Sequence, residues 1–386
     1  MKILYVGHTY TVRANQAKIA ALARLPGVEI ALVTPHAWQG PLYKNRADRF
    51  EGFSAENVHH HIVPAVGIGK ESGFLYSPRI SRIIKEFQPD IIHVEQGTYA
   101  LSYAQILWAA KRYAPKARAI FFTWWNLPYE LHGIKQRAES FNFAHSATAI
   151  AGNQAAKEIL WERGFHRPIH VLPQLGIDLP ASNDRRENDH KERFRIGYAG
   201  RIASEKGVLD LVHAAARMEH REKSELYFVG TGGELERVKQ EAGNNAISLM
   251  HHTAVRNESL PEHLATMDVL VLPSRSTPEW VEQFGHILLE AMAAGIPVIG
   301  SSSGEIPNVI GDAGMIFREG NTEELAADLD RLFANPGERN VYASLGKQRI
   351  AQHFTHEKIA KAQKEIYDGM MREGMPVVSL NGTIAS

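Results

Sequence analysis

Short apolar runs rich in isoleucine, valine and phenylalanine recur along the chain and alternate with longer amphipathic stretches. Runs of this kind predict strands that are buried on both faces, and the stretches between them are long enough to form helices. The alternation is typical of parallel sheets covered by helices on both sides. The predicted strands are 1–6, 29–34, 90–94, 119–123, 147–151 and 169–172 in the first half, and 195–199, 225–229, 246–250, 269–273, 297–299 and 313–317 in the second.

A polar segment divides this pattern into two halves. Residues 180–192 contain one alanine and otherwise only polar residues and proline, so they can bury almost no apolar surface. We therefore predict an α/β protein with two doubly wound domains, 1–178 and 194–354, joined by a linker at 179–193. The last helical pattern predicts that 355–386 crosses back to the first domain and ends in a frayed tail.

Length and composition agree with two domains and exclude several classes of protein. The 386 residues exceed what one ordinary core holds. Because the chain has no cysteine, a disulfide scaffold, a thiolate nucleophile and a metal site built on sulfur are excluded. The first apolar run is shorter than the core of a signal peptide, and no run approaches the roughly 20 residues that span a bilayer. We therefore expect a cytoplasmic protein.

The charge is balanced over the whole chain but not within it. The chain has 43 basic and 43 acidic residues, yet residues 1–175 hold 20 Lys and Arg against 12 Asp and Glu. This excess indicates either an anionic partner of the first domain, such as a membrane surface or a phosphorylated acceptor, or two domain faces of complementary charge. Peripheral contact with the inner face of an anionic membrane is therefore one of two open interpretations.

Ligands of open parallel sheets bind beyond the carboxyl ends of the strands, so the residues that follow each strand are candidate binding groups. The turn after strand 195–199 carries Arg201 and Lys206 just ahead of a helix. Two cations on such a turn form a clamp for a phosphate or diphosphate, unless Glu205 pairs with one of them locally. Gly230 follows the next strand and would let a phosphate or ribose approach the backbone, although turns need glycine in any case.

A nearly apolar helix is predicted from Gly285 onward, with Glu290 in its middle. An unpaired carboxylate in such a helix is costly, so we expect Glu290 to have hydrogen-bond donors, either from neighbouring backbone or from a vicinal diol such as a ribose. Glu282 lies just ahead of the same helix, whose positive end favours the anionic part of a ligand. Taken alone, Glu282 is equally well an exposed loop acid.

Together these residues resemble those of the retaining glycosyltransferases of family 4. The resemblance rests on three elements in the right order: the turn with Arg201 and Lys206, the pair Glu282 and Glu290 with seven residues between them, and the run from Glu290 to Phe317 that includes Gly304-Glu305-Ile306-Pro307. It is tight over 194–317 and looser before that. It implies the GT-B fold, in which two Rossmann-like domains face each other across a cleft.

The resemblance also implies a role for each residue on the donor side. Arg201 and Lys206 would grip the diphosphate of a nucleoside diphosphate sugar and stabilise its charge as it leaves. Glu282 would contact the donor sugar, and Glu290 would hold the ribose hydroxyls. Further donor contacts would come from the backbone amides of Phe284 and Gly285 and from Val255, whose backbone would pair with the base.

The first domain supplies candidate contacts for the acceptor or the sugar. His8 stands where many family members have the second residue of a double glycine. Alternation along strand 90–94 places His93 and Glu95 on one face, with Glu95 at the carboxyl end facing the cleft. Asn126 follows two tryptophans, of which Trp125 occupies the position of a sugar-contacting histidine that is common in the family. The two tryptophans are either part of the core or a stacking platform.

The function that the resemblance implies is transfer of a sugar from a UDP- or GDP-linked donor to a hydroxyl of a glycan, glycolipid or similar acceptor, with retention of the anomeric configuration. It implies no cofactor, no divalent metal and no nucleic-acid partner. The adjacent histidines of the run 59–61 alternate between the faces of a predicted strand and cannot all converge on a metal. Two alternatives stay open: a sugar-nucleotide 2-epimerase on the same fold, and a non-catalytic two-domain protein that binds a sugar.

Overall fold

The computed structural model describes residues 1–38, 48–49, 52–70, 72–179, 193–253 and 259–372. The chain divides into two compact units. The first comprises Met1–Gly176 together with the helix His356–Arg372, and the second comprises Ile177–Thr355.

A parallel sheet of seven strands forms the centre of the first unit. Its strands are β1 Lys2–Val6, β2 Glu29–Pro35, β3 Val58–Val63, β4 Ile91–Val94, β5 Arg118–Thr123, β6 Thr148–Ala151 and β7 Ile169–Val171. They lie in the order β7-β6-β5-β4-β1-β2-β3. Two short antiparallel pairs join Ala37–Trp38 to Asp48–Arg49 and Ala65–Val66 to Leu75–Tyr76.

Helices cover both faces of this sheet. They are α1 Gln16–Ala23, α2 Arg79–Phe87, α3 Leu101–Tyr113, α4 Gly133–His145 and α5 Gln154–Glu162. Successive residues of β1 point to opposite faces, because side chains alternate along a strand. Leu4 therefore packs in the core beneath α2, α3 and α5, whereas Ile3 and Tyr5 pack in a second core with α1 and the C-terminal helix.

The second unit contains a parallel sheet of six strands. They are β8 Phe194–Ala199, β9 Ser224–Val229, β10 Ser248–His252, β11 Val269–Leu272, β12 Val298–Ser301 and β13 Gly314–Phe317, in the order β10-β9-β8-β11-β12-β13. The helices of this unit are α6 Val208–Arg217, α7 Leu235–Asn244, α8 Leu260–Leu264, α9 His286–Ala293, α10 Ile306–Ile310, α11 Thr322–Ala334 and α12 Pro336–Arg349. The helix His356–Arg372 of the first unit is α13.

In each sheet the strand order reverses beside the first strand of the unit. The first sheet grows from β1 through β2 to β3 and then resumes on the other side with β4, and the second sheet reverses in the same way between β8 and β11. The loops that leave neighbouring strands at such a point diverge and open a crevice at the carboxyl edge. The two expected binding edges are therefore the loops after β1 and β4, and the loops after β8 and β11.

The prediction of two doubly wound parallel sheets is confirmed. Every strand predicted from an apolar run is present, with bounds within two residues of those predicted. No helix in the described part of the chain is both long enough and apolar enough to cross a membrane.

Candidate active site

The loops after β8 and β11 bring a lysine and a glutamate together at the reversal point of the second sheet. Lys206 Nζ lies 2.7 Å from Glu282 Oε2, and only 18% of the lysine side chain and 8% of the glutamate side chain are exposed. The buried Ser274 hydroxyl donates to the same carboxylate oxygen at 2.8 Å. Two donors therefore fix the Glu282 carboxylate, and the ammonium group balances its charge.

Trp280 lies over this ion pair. Lys206 Nζ is 4.5 Å from the centroid of the indole ring, which is a cation–π distance. A tight turn positions the ring, because Thr277 N donates to Trp280 O at 2.7 Å and Trp280 N donates back to Thr277 O at 3.3 Å. The same short loop thus places both Trp280 and Glu282 against Lys206.

Arg201 pairs within its own turn. Its guanidinium Nη2 lies 2.5 Å from Glu205 Oε1, and 54% of the arginine side chain is exposed. The backbone carbonyl of Arg201 accepts a hydrogen bond from the buried Tyr198 hydroxyl at 2.5 Å. The local pairing with Glu205, which the sequence left as an alternative, is present. The guanidinium lies at the surface of the same turn that carries Lys206.

Close backbone contacts beneath the site explain two of its glycines. Gly207 joins the 3₁₀ turn Ser204–Lys206 to α6 with φ +62°, and a Cβ there would lie 1.8 Å from the carbonyl oxygen of Pro273. Gly230, one of the predicted donor contacts, has φ +146°, and a Cβ there would lie 1.9 Å from the carbonyl oxygen of Gly200. Only glycine permits these conformations and approaches, which bring the loops after β8, β9 and β11 together.

Helix α9 begins at this same edge. Gly285 caps it with φ +82°, and the side chain of Phe284 is buried. The backbone amides at the predicted diphosphate contacts therefore lie at the positive end of an eight-residue helix. Glu282 lies three residues ahead of Gly285, so the cap and the ion pair belong to one continuous segment.

Glu290 lies one helical turn inside α9. Its half-buried carboxyl has no hydrogen bond or ion pair to any residue in the described part of the chain, and burial raises its pKa to about 7. Of the two sources of donors that the sequence left open for Glu290, neighbouring backbone is therefore not found among these residues. The carboxyl is a poorly solvated acceptor to which no residue in the described ranges donates.

Val255, the predicted base contact, lies outside the described residues. The strand that leads towards it, β10, ends at His252. Its penultimate residue, His251, lies with Nε2 2.8 Å from the carbonyl oxygen of Gly230. The end of β10 is therefore fastened to the glycine loop after β9.

At the reversal point of the first sheet, the structure places Glu95 in a closed network. Its carboxylate accepts from Lys18 Nζ at 3.1 Å, from the Tyr5 hydroxyl at 2.5 Å and from Gln174 Nε2 at 2.8 Å. Burial alone would raise the pKa of Glu95, but the Lys18 ammonium and the hydrogen bonds outweigh burial and hold it below its usual value. Both side chains of the ion pair are almost fully buried, so Glu95 is occupied by protein groups.

His93 lies on the same side of the sheet as Glu95, as strand alternation predicts, but it too is fully buried. Its Nδ1 lies 2.5 Å from the Tyr367 hydroxyl and 2.9 Å from Gln363 Nε2, both on α13. Burial lowers the pKa of His93 to about 3, so its imidazole is neutral. The C-terminal helix thus covers a side chain that the sequence reasoning assigned to an acceptor contact, and we assign no acceptor contact to His93 or Glu95.

The other two predicted contacts of the first unit differ in exposure. His8 is partly exposed and its imidazole stacks on Trp38 with ring centroids 4.1 Å apart. Burial lowers its pKa to about 4, and its buried Nδ1 has no hydrogen-bond partner among the described residues. Asn126 is 9% exposed, directly after Trp125, of which 42% is exposed. Of these two predicted contacts, His8 is thus partly exposed itself, whereas Asn126 is buried beside the exposed Trp125.

Several residues of these sites were not found from the sequence. Lys18 carries the typical pattern of a solvated helical lysine, and no local signal shows that it is buried beside Glu95. Ser274 and Trp280 lie in the loop that follows β11, so the rule that pointed to Glu282 also applied to them, but neither carries a charge that marks it as a candidate.

Two family models match the chain in succession. One, described as Glycosyltransferase Family 4, matches residues 17–179, and the other, described as Glycosyl transferases group 1, matches residues 181–349. The chain belongs to glycosyltransferase family 4. The resemblance recognised from the turn with Arg201 and Lys206 and from the pair Glu282 and Glu290 is thereby confirmed.

Curated relatives match parts of the chain. The MMP α-(1→4)-mannosyltransferase of Mycolicibacterium hassiacum is 31% identical over 208 residues, which are 52% of this chain and 48% of the relative. The sulfoquinovosyl transferase SQD2 of Arabidopsis thaliana is 25% identical over 324 residues, which are 75% of this chain and 59% of that protein. The chain therefore spans about half the length of these relatives.

Solved structures of glycosyltransferases share the fold over nearly the whole chain. HepE of Anabaena in complex with UDP is 16% identical and covers 96% of this chain and 100% of that chain, with a TM-score of 0.68. A glycosyltransferase from Rickettsia africae is 17% identical and covers 97% of this chain and 99% of that chain, with a TM-score of 0.70. At these identities the likeness concerns the fold alone, and it confirms the predicted GT-B architecture of two Rossmann-like domains.

Proposed function

We propose that this family 4 protein transfers a glycosyl group from a nucleoside diphosphate sugar to a hydroxyl of an acceptor, with the anomeric configuration retained. The observation that carries the proposal is Glu290, a half-buried carboxyl to which no described residue donates, one turn inside the helix whose positive end adjoins Lys206 and Glu282. The two hydroxyls of a ribose supply the donors that the carboxylate lacks. The diphosphate attached to the ribose then lies towards the amides at Gly285.

The cations beside this helix suit the charge that develops in such a transfer. When the bond between the anomeric carbon and the diphosphate oxygen breaks, negative charge grows on the leaving diphosphate. The hydrogen bond to Glu282 holds Lys206 in place. An ammonium group has three N–H donors, so it can also donate to phosphate oxygens. Arg201 offers a planar pair of donors at the surface of the same turn. Fixed positive groups of this kind stabilise the transition state without reorganising.

The proposed chemistry needs no protein nucleophile. The acceptor oxygen attacks the anomeric carbon on the face that the diphosphate leaves, and the proton of the acceptor hydroxyl passes to the departing diphosphate oxygen. Glu282 orients the donor sugar, because its carboxylate lies at the end of the segment that carries the helix cap. Since Arg201 and Lys206 carry the positive charge, we propose that a chelator of divalent metal leaves the rate unchanged.

The related HepE structure contains UDP, so a uridine nucleotide is the first donor to test, with a GDP-linked sugar as the alternative. The chain is incubated with each nucleotide sugar and a mixture of glycans, and proton NMR of the purified product reads the anomeric configuration from the coupling constant. Retention in a new glycosidic bond is expected. Donor consumption with epimerisation and without acceptor supports the 2-epimerase, and binding without turnover of any nucleotide sugar supports the non-catalytic protein.

A further inference from the structure

Three aromatic side chains that the donor chemistry does not use are in contact at the carboxyl edge of the first sheet. Trp125 lies just after β5, and Tyr99 lies in the loop after β4. In space, the ring of Tyr129 lies between the other two rings. The rings of Trp125 and Tyr129 meet edge to face with centroids 5.8 Å apart, and those of Tyr129 and Tyr99 lie 5.6 Å apart. We refer to Tyr99, Trp125 and Tyr129 as the aromatic wall.

The middle ring of the aromatic wall is fixed from three directions. The Tyr129 hydroxyl donates to Glu139 Oε1 at 2.6 Å and lies 2.7 Å from Thr98 Oγ1. The Arg163 guanidinium lies 4.1 Å from the ring centroid, donates to the Tyr129 carbonyl at 2.7 Å and pairs with Glu139. A mostly buried ion pair is a costly way to stabilise a fold, so its placement around Tyr129 indicates that this ring must keep its position.

The two neighbouring tryptophans have different surroundings. Trp124 packs against Phe122 and Gly152, where a Cβ would lie 2.0 Å from its ring, and its Nε1 donates to Gln174 at 2.9 Å. Trp125 is 42% exposed. Of the two readings that the sequence left open, core therefore fits Trp124 and an open platform fits Trp125. Trp125 lies between Trp124 and Tyr129 in the sequence, and both of these neighbours are fixed by their own contacts, so the backbone at Trp125 is positioned on both sides.

We propose that the aromatic wall binds a pyranose ring of a carbohydrate acceptor, with the apolar C–H face of the sugar stacked on Trp125. A sugar ring has one apolar face and a rim of hydroxyls, so it suits a rigid aromatic surface bordered by polar side chains. The border contains Lys135, whose Nζ lies 5.7 Å from the Tyr99 ring, and the exposed pair Glu130 and His132. A neutral polyol can use all three as donors or acceptors, whereas for an anionic lipid surface the attraction of Lys135 is opposed by the repulsion of Glu130. This inference rests on the proposed transfer reaction and names the class of its acceptor.

Fluorine NMR of the chain labelled with 5-fluorotryptophan tests the inference on the intact protein. The chain has six tryptophans, and the Trp125→Phe variant assigns the resonance of Trp125. The probes are the methyl α-glycosides of glucose, galactose, mannose and N-acetylglucosamine, with sorbitol as an acyclic control. At least one glycoside is expected to shift the Trp125 resonance. The resonances of Trp108 and Trp161, which are exposed elsewhere on the first unit, are expected to stay unchanged, and so is the Trp125 resonance with sorbitol.

In the Trp125→Ala variant the same glycoside is expected to bind about tenfold more weakly, whereas Trp125→Phe, which keeps a flat ring, weakens it less. A Trp125 resonance that no glycoside moves would overturn the inference, and so would a resonance that responds to vesicles of phosphatidylcholine and phosphatidylglycerol but to no glycoside. Binding of UDP to the same intact chain is measured in a separate titration. If the chain binds UDP but no glycoside shifts the Trp125 resonance, only the proposed sugar site at the aromatic wall is refuted. If a glycoside shifts the Trp125 resonance but no nucleotide binds, the proposed transfer reaction is contradicted.

Discussion

Lys206 and Glu282 lie 76 positions apart in the chain, yet their side chains form an ion pair of 2.7 Å at the point where the strand order of the second sheet reverses. The pair has a consequence for catalysis. In the free protein the Lys206 ammonium is matched by one carboxylate, and an incoming diphosphate competes for the same donors. In the proposed transfer, Lys206 is therefore positioned before the donor arrives, and its charge stabilises the diphosphate most as it leaves.

Replacing Lys206 should slow the chemical step more than it weakens binding. Loss of one fixed group that stabilises transition-state charge costs about 10²–10³ in kcat, so we expect Lys206→Met to fall in this range with a much smaller change in KM. Steady-state kinetics with varied donor measures the split. Lys239→Met is the matched control, because Lys239 forms a solvent-exposed ion pair with Glu236 on α7, and it should leave kcat unchanged. Equal losses in both variants would contradict the role of Lys206.

The raised pKa of Glu290 predicts a pH dependence of donor binding. The ionised carboxylate accepts the ribose hydroxyls better than the protonated form does, and the pKa in the free protein is about 7. Affinity should therefore rise from pH 6 to pH 8 and level off above the pKa. Below the pKa, each fall of one pH unit raises the ratio of protonated to ionised carboxyl about tenfold. Calorimetry with a nucleotide sugar measures this, because its esterified diphosphate does not titrate in this range. Glu290→Gln should bind more weakly with a flat profile, and an unchanged pH profile in that variant would refute the assignment.

The buried ion pair Lys18–Glu95 should make a large contribution that depends on both partners. Lys18→Met leaves a carboxylate unpaired in the interior, and we expect a loss of about 3–5 kcal/mol in the free energy of unfolding. The double variant Lys18→Met with Glu95→Gln should recover part of the loss, because it removes the uncompensated charge. Chemical denaturation measures both. Arg82→Gln, which breaks the exposed pair with Glu86, should leave the midpoint unchanged. A double variant that is less stable than Lys18→Met would show that charge compensation is not the cause.

Gly207 should tolerate no side chain. Its φ of +62° disfavours other residues, and a Cβ would meet the Pro273 carbonyl at 1.8 Å, so Gly207→Ala should destabilise the second unit by about 2 kcal/mol or more. Gly243→Ala is the matched control, because Gly243 lies in α7 and its Cβ would meet no atom within 4 Å. That substitution should gain up to about 1 kcal/mol from helix propensity. Denaturation midpoints that move in the same direction for both variants would contradict this account.

The fold could be predicted from the sequence because its signals are local. A run such as β11 is apolar along its length and is bounded by polar residues, and this pattern alone indicates a strand buried on both faces. The strand ends then locate the loops that carry Lys206 and Glu282. The reversal of strand order that brings these two loops together is a property of the whole sheet, so the sequence placed the residues at one edge without showing that they touch.

The interior networks could not be predicted for the same physical reason. Tyr367 and Gln363 reach His93 from a helix more than 260 positions away, and nothing in the local pattern distinguishes a histidine covered by such a helix from one at an open edge. Glu290 shows the converse. The apolar surroundings correctly indicated a poorly solvated carboxyl, and of the two sources of donors that the sequence left open, neighbouring backbone is not found among the described residues. The ribose of the proposed donor is the source that remains.

Titration of the chain with UDP, GDP and ADP by calorimetry, in the wild type and in Glu290→Gln, tests the central claim most directly. The account predicts that at least one of these nucleotides binds with a stoichiometry of one, and that the variant binds it at least about tenfold more weakly, which is a loss of about 1.4 kcal/mol. If none of the three nucleotides binds to the wild-type chain, or if the variant binds as tightly as the wild type, the helix with Glu290 does not hold a nucleotide and the account is wrong.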